Sequence, residues 1–150
     1  MELKDVLGGI AYRGAGCLFY TIDSDGDIWV LLGRRPAGHL FGSAYRWSIP
    51  EAAVKDDDPS LLDAAMRVAY EETGILDSRN KARLFWDVDE SGVELSIYSL
   101  RLSSKVPPKR SRDYSDLRWF RLGDLIDDID MLAESQLRAF ALSIGFRKAV

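Results

Sequence analysis

Two adjacent glutamates, Glu71 and Glu72, stand near the end of a predicted helix, where they could bind a divalent cation. Residues three or four apart share one face of a helix, so Val68, Glu71 and Glu72 are predicted to project to the same side. Arg67 lies one turn before Glu71 and is placed to pair with it. Two carboxylates that point into one space repel each other unless a cation such as Mg²⁺ or Mn²⁺ lies between them.

The alternative for Glu71 and Glu72 is a solvated acidic pair with no chemical role. A negative charge near the C-terminus of a helix meets the negative end of the helix dipole, so the pair does not stabilise the helix there. Stability therefore does not explain the pair. The residues alone leave both interpretations open.

The elements that would position this pair can be read from the hydrophobic pattern. Apolar, β-branched and aromatic runs predict strands at 16–23, 28–34, 47–50, 82–90, 93–102 and 117–120. Helical spacing predicts a helix from Leu61 to a glycine cap at Gly74, with Pro59 in its first turn, and an amphipathic helix at 133–146. Strands followed by a helix, more strands and a final helix predict an α/β fold, a mixed β-sheet with helices packed on it.

Composition limits the class of protein. The chain has 150 residues, 47% of them hydrophobic, which predicts one domain over residues 1–150. A net charge of −4 and a pI of about 5.0 argue against a stable nucleic-acid complex or binding to an anionic membrane. The single cysteine, Cys17, is predicted to be a small buried strand residue. With no apolar run long enough to span a bilayer, we expect a cytoplasmic protein.

The sequence around the glutamates resembles a known family. AAMRVAYEETGI (64–75), preceded by WSIP and an acidic loop, is similar to the box of the Nudix hydrolases, G-x5-E-x7-R-E-U-x-E-E-x-G-U, with U a bulky aliphatic residue. Its final half matches at Arg67, Glu71, Glu72, Gly74 and Ile75. VLLGRR (30–35) and DYSDLRWFRLGDL (113–125) resemble two further segments of the family, and most of residues 14–125 follow its order. The resemblance implies a Nudix-type α/β/α sandwich.

The box also departs from the family pattern. Val68 stands where the family has a glutamate that is a metal ligand and sometimes the general base, so one carboxylate is missing. Glu51-Ala52 replaces the usual Gly-Gly, and Asp58 or Pro59 falls at the first glutamate of the box. We interpret the Asp56 to Asp58 run as a solvated loop that favours the start of the helix.

Other residues could compensate for Val68. Glu51 lies where a glycine carbonyl of the family contacts metal, so its own carbonyl or side chain could be a ligand. Asp113 and Asp116 fall in a loop that supplies a base or a metal ligand in several family members. For Asp113, a catalytic role and a surface turn are equally supported.

The resemblance implies a nucleoside diphosphate derivative as substrate, cleaved by a metal-activated water. Arg34 and Arg35 could clamp its phosphates. Because strand residues alternate, only one should point to the site, and we slightly favour Arg34. Phe41 or Tyr45 could stack on a base, whereas Trp47 is expected to be buried.

Two other groups are more simply explained by solvent exposure. We interpret the basic loop as solvated rather than as a phosphate clamp, and His39 as an exposed loop residue rather than a base. The basic residues of that loop are Lys105, Lys109, Arg110 and Arg112.

Two hypotheses from different classes follow. The first is a Mg²⁺- or Mn²⁺-dependent pyrophosphohydrolase with metal ligands Glu71, Glu72 and Glu51, and with Arg67, Glu72 and Asp113 as catalytic residues. The second is a degenerate domain that binds a nucleotide or a protein partner without cleaving it, and Val68 favours it. A regulatory role is a third, weaker reading. A homodimer through the final helix, with Phe140 and Phe146, is possible, but that helix could equally pack on its own sheet.

Overall fold

The computed structural model describes residues 12–35, 46–109, 113–124 and 128–145. Seven strands, two α-helices and one short 3₁₀ helix, Arg79–Lys81, make up these residues. The strands are β1 (Tyr12–Ile22), β2 (Ile28–Arg34), β3 (Trp47–Ser48), β4 (Glu51–Ala53), β5 (Arg83–Glu90), β6 (Val93–Arg101) and β7 (Asp116–Arg121). The helices are α1 (Leu61–Thr73) and α2 (Met131–Ser143). The predicted strands at 16–23, 28–34, 82–90, 93–102 and 117–120 are therefore confirmed to within a few residues.

All seven strands form one mixed sheet. Its main order is β3-β2-β1-β6-β5, while β4 pairs with β1 and β7 pairs with β2. β1 and β6 run parallel, and the other strand pairs are antiparallel. The predicted strand 47–50 is confirmed only at Trp47–Ser48, which pairs with β2, and the chain then crosses to pair with β1 at Glu51–Ala53, a strand that the sequence did not predict.

The two helices cover opposite faces of the sheet. Side chains alternate between faces along a strand, and in β1 Leu18 packs with Phe140 of α2, whereas Cys17 and Phe19 pack with Ala69 of α1. This arrangement confirms the predicted α/β/α sandwich. Cys17 is buried as expected, and burial raises the pKa of its thiol to about 12.

Helix α1 has well-defined ends. Ser60 is its N-cap and accepts a hydrogen bond from the backbone N–H of Asp63, so Pro59 lies before the helix and not in its first turn as the sequence suggested. Gly74 closes the helix in the left-handed conformation at φ 73°, and its N–H donates to the carbonyl of Tyr70. The predicted glycine cap is therefore present.

Helix α2 packs on its own sheet. The ring of Phe140 makes edge-to-face contacts with Tyr20 of β1 and Phe85 of β5, at centroid distances of 4.9 and 5.6 Å. Phe140 therefore packs on the sheet of its own chain, and Phe146 lies outside the described residues. No helix in the described ranges is long and apolar enough to cross a membrane.

Candidate functional site

Arg67 joins helix α1 to the acidic loop before it. Its Nε and Nη2 atoms donate to the two carboxylate oxygens of Asp58, both at 2.8 Å, and Nη2 also donates to the carbonyl of Ala53 at 3.1 Å. Its Nη1 donates to Glu71 at 3.0 Å, which is the contact that the i, i+4 spacing predicted. Arg67 therefore connects the loop, β4 and Glu71 in one network.

Asp58 is not simply a solvated loop residue, which corrects the sequence interpretation of this run. Its side chain is 6% exposed, and the hydrogen bonds from Arg67 are the main reason that the pKa of its carboxyl falls to about 2. The N–H of Lys55 donates to the same carboxylate. Asp58, which with Pro59 is one of the two residues that could fall at the first glutamate of the family box, thus binds Arg67.

The adjacent glutamates of α1 have different environments. Glu72 is 3% exposed and Val68, one turn earlier, is fully buried. The side chain of Glu71 is 45% exposed and lies 4.0 Å from the ammonium of Lys55 as well as binding Arg67. The expectation that all three project to the same side of the helix is therefore wrong. Glu72 and Val68 face the protein interior, and Glu71 lies at the rim of the site, partly exposed to solvent.

Glu51 brings a second buried carboxylate to this region from β4. It is 8% exposed, and its Oε2 accepts a hydrogen bond from the hydroxyl of Tyr12 at 2.8 Å. The start of β4 lies so close to β1 that a Cβ on Gly16 would come 2.8 Å from the Cβ of Glu51. Burial raises the pKa of the Glu51 carboxyl, and the charge of Arg35 and the Tyr12 hydrogen bond offset this only partly.

Arg35, not Arg34, reaches the site, which reverses the slight preference for Arg34. Its Nη2 donates to the carbonyl oxygen of Glu51 at 2.7 Å and lies 4.0 Å from the carboxylate atom Oε1 of the same residue. The guanidinium of Arg34 instead lies over the ring of Trp47, 5.1 Å from its centroid. Trp47 is buried, as predicted.

Two tyrosines that the sequence did not single out complete the site. The hydroxyl of Tyr114 accepts from Nη2 of Arg35 at 2.6 Å and from the N–H of Glu51 at 3.3 Å. Its ring lies against Gly33, where an added Cβ would be 2.5 Å from the ring. Tyr12 is the second, through Glu51. A glycine inside the otherwise bulky strand β2 was the available signal that another group packs closely there.

The site is electrostatically coupled. Burial lowers the pKa of the Arg35 guanidinium, but Tyr114, Glu51 and Glu72 together raise it above its ordinary value. Burial raises the pKa of the Tyr114 hydroxyl, which Arg35 opposes and the two glutamates reinforce. Both buried glutamates therefore favour the charged form of Arg35, and Glu51 contacts it directly.

The acidic segment before β7 lies beside this network. Asp113 is exposed and directly precedes Tyr114. Asp116 begins β7 and does not lie in the loop as expected, and its carboxylate binds Nε of Arg118 at 2.8 Å. Of the two, Asp113 remains the candidate base.

The basic loop lies at the end of α1. The N–H of Lys109 donates to the carbonyl of Thr73 at 2.8 Å, and the ammonium of Lys105 lies over the ring of Trp29 at 3.8 Å. The remaining sequence candidates lie outside the described residues. They are His39, Phe41, Tyr45, Arg110 and Arg112.

The donor atoms fit a hard cation in kind but do not converge on one point. Glu51, Glu71 and Glu72 offer carboxylate oxygens, and Glu51 adds a carbonyl. Within the described ranges, however, three carboxylate oxygens approach within 4.8 Å of one another only in the β1–β2 turn, at Asp23, Asp25 and Asp27. The guanidinium of Arg35 lies against the Glu51 oxygens instead.

Comparison with known proteins identifies the family. The family model described as the NUDIX domain matches residues 12–142. The chain belongs to the NUDIX family. Its sheet and helices also superimpose on the NUDIX domain of Shewanella oneidensis NrtR, solved with ADP-ribose, with a TM-score of 0.74, 18% identity and coverage of 96% of this chain and 99% of that one.

Two curated relatives of this NUDIX chain are similar over shorter segments. An uncharacterised 17.7 kDa protein of Enterobacteria phage T4 is 43% identical over 60 residues, which are 40% of this chain and 38% of the phage protein. An RNA pyrophosphohydrolase of Bartonella tribocorum is 40% identical over 58 residues, 37% of this chain and 32% of that protein. The matches therefore span well under half of either relative.

Proposed function

We propose that this chain is a pyrophosphohydrolase that cleaves a nucleoside diphosphate derivative with the help of Mg²⁺ or Mn²⁺. One observation carries the proposal: Glu51 of β4 and Glu72 of α1, two carboxylates from separate elements, are both buried. Both also raise the pKa of the Arg35 guanidinium. Burying two carboxylates is costly unless positive charge neutralises them. A site of this composition is suited to holding a cation beside phosphate groups.

The residues that would hold the cation are Glu72, Glu51 and, at the rim, Glu71. When bound, a divalent cation lowers the pKa of a water and neutralises charge on phosphate oxygens. Arg67 would fix the position of Glu71 through their 3.0 Å hydrogen bond and tie it to the loop at Asp58. These contacts would keep Glu71, although it lies at the helix surface, in position to bind a cation beside α1.

The reaction requires an acceptor for one proton. A water oxygen forms a bond to phosphorus, the bridging P–O bond breaks, and the displaced phosphate oxygen leaves with the electron pair. The proton of the water passes to a carboxylate, for which we propose Asp113 because it directly precedes Tyr114 of the site. Val68 has no carboxylate to offer at the position where the family box has one.

The substrate class is supported by the relatives. The NrtR domain was solved with ADP-ribose, and the Bartonella relative is named for pyrophosphate hydrolysis of RNA. In this chain, Arg35 would bind phosphate, since a guanidinium matches two phosphate oxygens, and Phe41 or Tyr45 would stack on the base. The proposal includes a cytoplasmic protein that can dimerise and forms no stable complex with nucleic acid or a membrane.

A second candidate function is nucleotide binding without cleavage. It is favoured by Val68, which is fully buried and apolar beside Glu72. Such a domain would keep the Arg67 network and the buried glutamates but lack the carboxylate that the family box has at the position of Val68.

One experiment separates the two functions. The protein is incubated with nucleoside diphosphate sugars, dinucleoside polyphosphates and nucleoside triphosphates in Mg²⁺ or Mn²⁺, and both product formation and equilibrium binding are measured for each compound. Turnover of one compound supports the hydrolase. Binding of a compound that stays intact through long incubation supports the second function and contradicts the first.

A further inference from the structure

The position of Arg35 within the site is unusual for a residue that only binds substrate. Its Nη2 atom has three oxygens around it: the Glu51 carbonyl at 2.7 Å, the Tyr114 hydroxyl at 2.6 Å and the Glu51 Oε1 atom at 4.0 Å. The side chains of Arg35 and Glu51 are only 13% and 11% exposed. Arg35 is thus held inside the protein by its contacts.

These oxygens are of the type that a hard cation takes. A carboxylate and a backbone carbonyl are both common ligands of Mg²⁺ and Ca²⁺, and Glu51 provides one of each. Glu72 acts on the same guanidinium electrostatically. A guanidinium stays charged at every physiological pH, so Arg35 brings a permanent positive charge to the two buried carboxylates.

We propose that Arg35 and a divalent cation are alternative occupants of one position, so that a cation binds at Glu51 and Glu72 only by displacing the guanidinium. The inference rests on the proposed function for the choice of cation. If both were bound at the Glu51 carbonyl, three positive charges would lie within a few ångströms of one another, and such charges repel strongly where water is excluded.

Displacement of the Arg35 guanidinium should affect both the affinity for the cation and the binding of a substrate phosphate. The cation must replace hydrogen bonds that Arg35 makes to Glu51 and Tyr114, so the wild-type protein binds it weakly. The displaced guanidinium is then available for a phosphate group, which its planar fork matches. Arg35 therefore couples cation binding to phosphate binding, and this coupling is reciprocal.

The test compares the Mn²⁺ affinity of wild type, Arg35→Gln and Arg35→Lys, measured from the electron paramagnetic resonance of free Mn²⁺. Removing the competing charge should tighten Mn²⁺ binding about tenfold in Arg35→Gln. Arg35→Lys keeps a charge and should stay close to wild type. Arg118→Gln is the matched control, because it changes the net charge equally but its guanidinium binds Asp116 and lies over Trp47.

A second measurement needs no substitution. The side-chain Nε–H signal of Arg35 is followed by nuclear magnetic resonance while Mg²⁺ is added to wild-type protein, with that of Arg118 as reference. Displacement predicts that the Arg35 signal moves and the Arg118 signal does not. An Arg35 signal that stays fixed throughout the titration overturns the inference, and so does an Arg35→Gln protein that binds Mn²⁺ no more tightly than wild type.

Neither measurement depends on turnover. A gain in Mn²⁺ affinity by Arg35→Gln in a protein that cleaves none of the tested compounds supports the alternative occupancy and contradicts the proposed hydrolase. Metal-dependent turnover by wild type, with no gain in Mn²⁺ affinity in Arg35→Gln, supports the proposed hydrolase and contradicts the alternative occupancy. The two claims therefore fail separately.

Discussion

Arg67 binds both carboxylate oxygens of Asp58 at 2.8 Å, across the turn that leads into helix α1. The two residues are nine positions apart, so the pair closes the acidic loop onto the helix. The same guanidinium donates to Glu71 and to the carbonyl of Ala53. Asp58 therefore supports the position of one proposed ligand without contacting it.

Asp58→Asn should lower the melting temperature more than Asp56→Asn. The first substitution removes the charge that accepts two hydrogen bonds from Arg67, whereas Asp56 is an exposed residue of the same loop. Thermal unfolding followed by circular dichroism measures both. Equal melting temperatures for the two variants would mean that the Asp58–Arg67 contact does not stabilise the fold.

The stability supplied by Asp58 should depend on pH. The pKa of its carboxyl is about 2 in the folded protein, below the value of about 3.9 for an unfolded chain. The unfolded state therefore takes up the proton first, so the stabilisation is complete above about pH 4 and is lost as pH falls towards 2. The gap in unfolding free energy between wild type and Asp58→Asn, measured in urea, should narrow over that interval. A gap that stays constant or widens would contradict the assignment.

Tyr114→Phe should lower the free energy of unfolding by about 1–3 kcal/mol, because it removes a buried hydroxyl that accepts two hydrogen bonds. The donors are Nη2 of Arg35 and the N–H of Glu51. Urea unfolding measures the change, and Tyr70→Phe is the control because Tyr70 is 51% exposed. If the two variants are equally stable, the Tyr114 hydroxyl contributes no net stability.

Val68→Glu should lower the stability of the cation-free protein and raise its affinity for a divalent cation. A carboxylate at this fully buried position costs about 3–5 kcal/mol when nothing neutralises it. Because Val68 lies one turn before Glu72, Mn²⁺ should restore much of that loss, and the melting temperature should rise with Mn²⁺ far more than in wild type. Val68→Gln has the same length without the charge and should show no such rise. Equal responses of the Glu and Gln variants would place this position outside the cation site.

The sequence predicted the parts of the molecule that depend on local chemistry. Helix α1 and its glycine cap follow from spacing and from Gly74, and the contact between Arg67 and Glu71 follows from helix geometry. The strands were found because their apolar runs are bounded by turn residues, as at Ser91 and Gly92, which both have positive φ.

The rest of the site depends on contacts between distant segments. Tyr12 meets Glu51 across 39 residues and Arg35 meets Tyr114 across 79, because β4 pairs with β1 and β7 pairs with β2. No local pattern encodes these pairings. The exposure of Glu71 was missed because adjacent helical residues differ in direction by about 100°, so Glu72 can face the core while Glu71 faces solvent.

In the proposed hydrolase, Glu72 takes part in cleaving a pyrophosphate bond. The most direct test is product formation, in Mn²⁺, by wild type, Glu72→Gln and the control Glu134→Gln, whose exposed glutamate binds Arg138 on helix α2. We expect turnover by wild type and Glu134→Gln, and a loss of about a hundredfold in Glu72→Gln. Turnover by Glu72→Gln at the wild-type rate would rule out a role for Glu72 in cleavage.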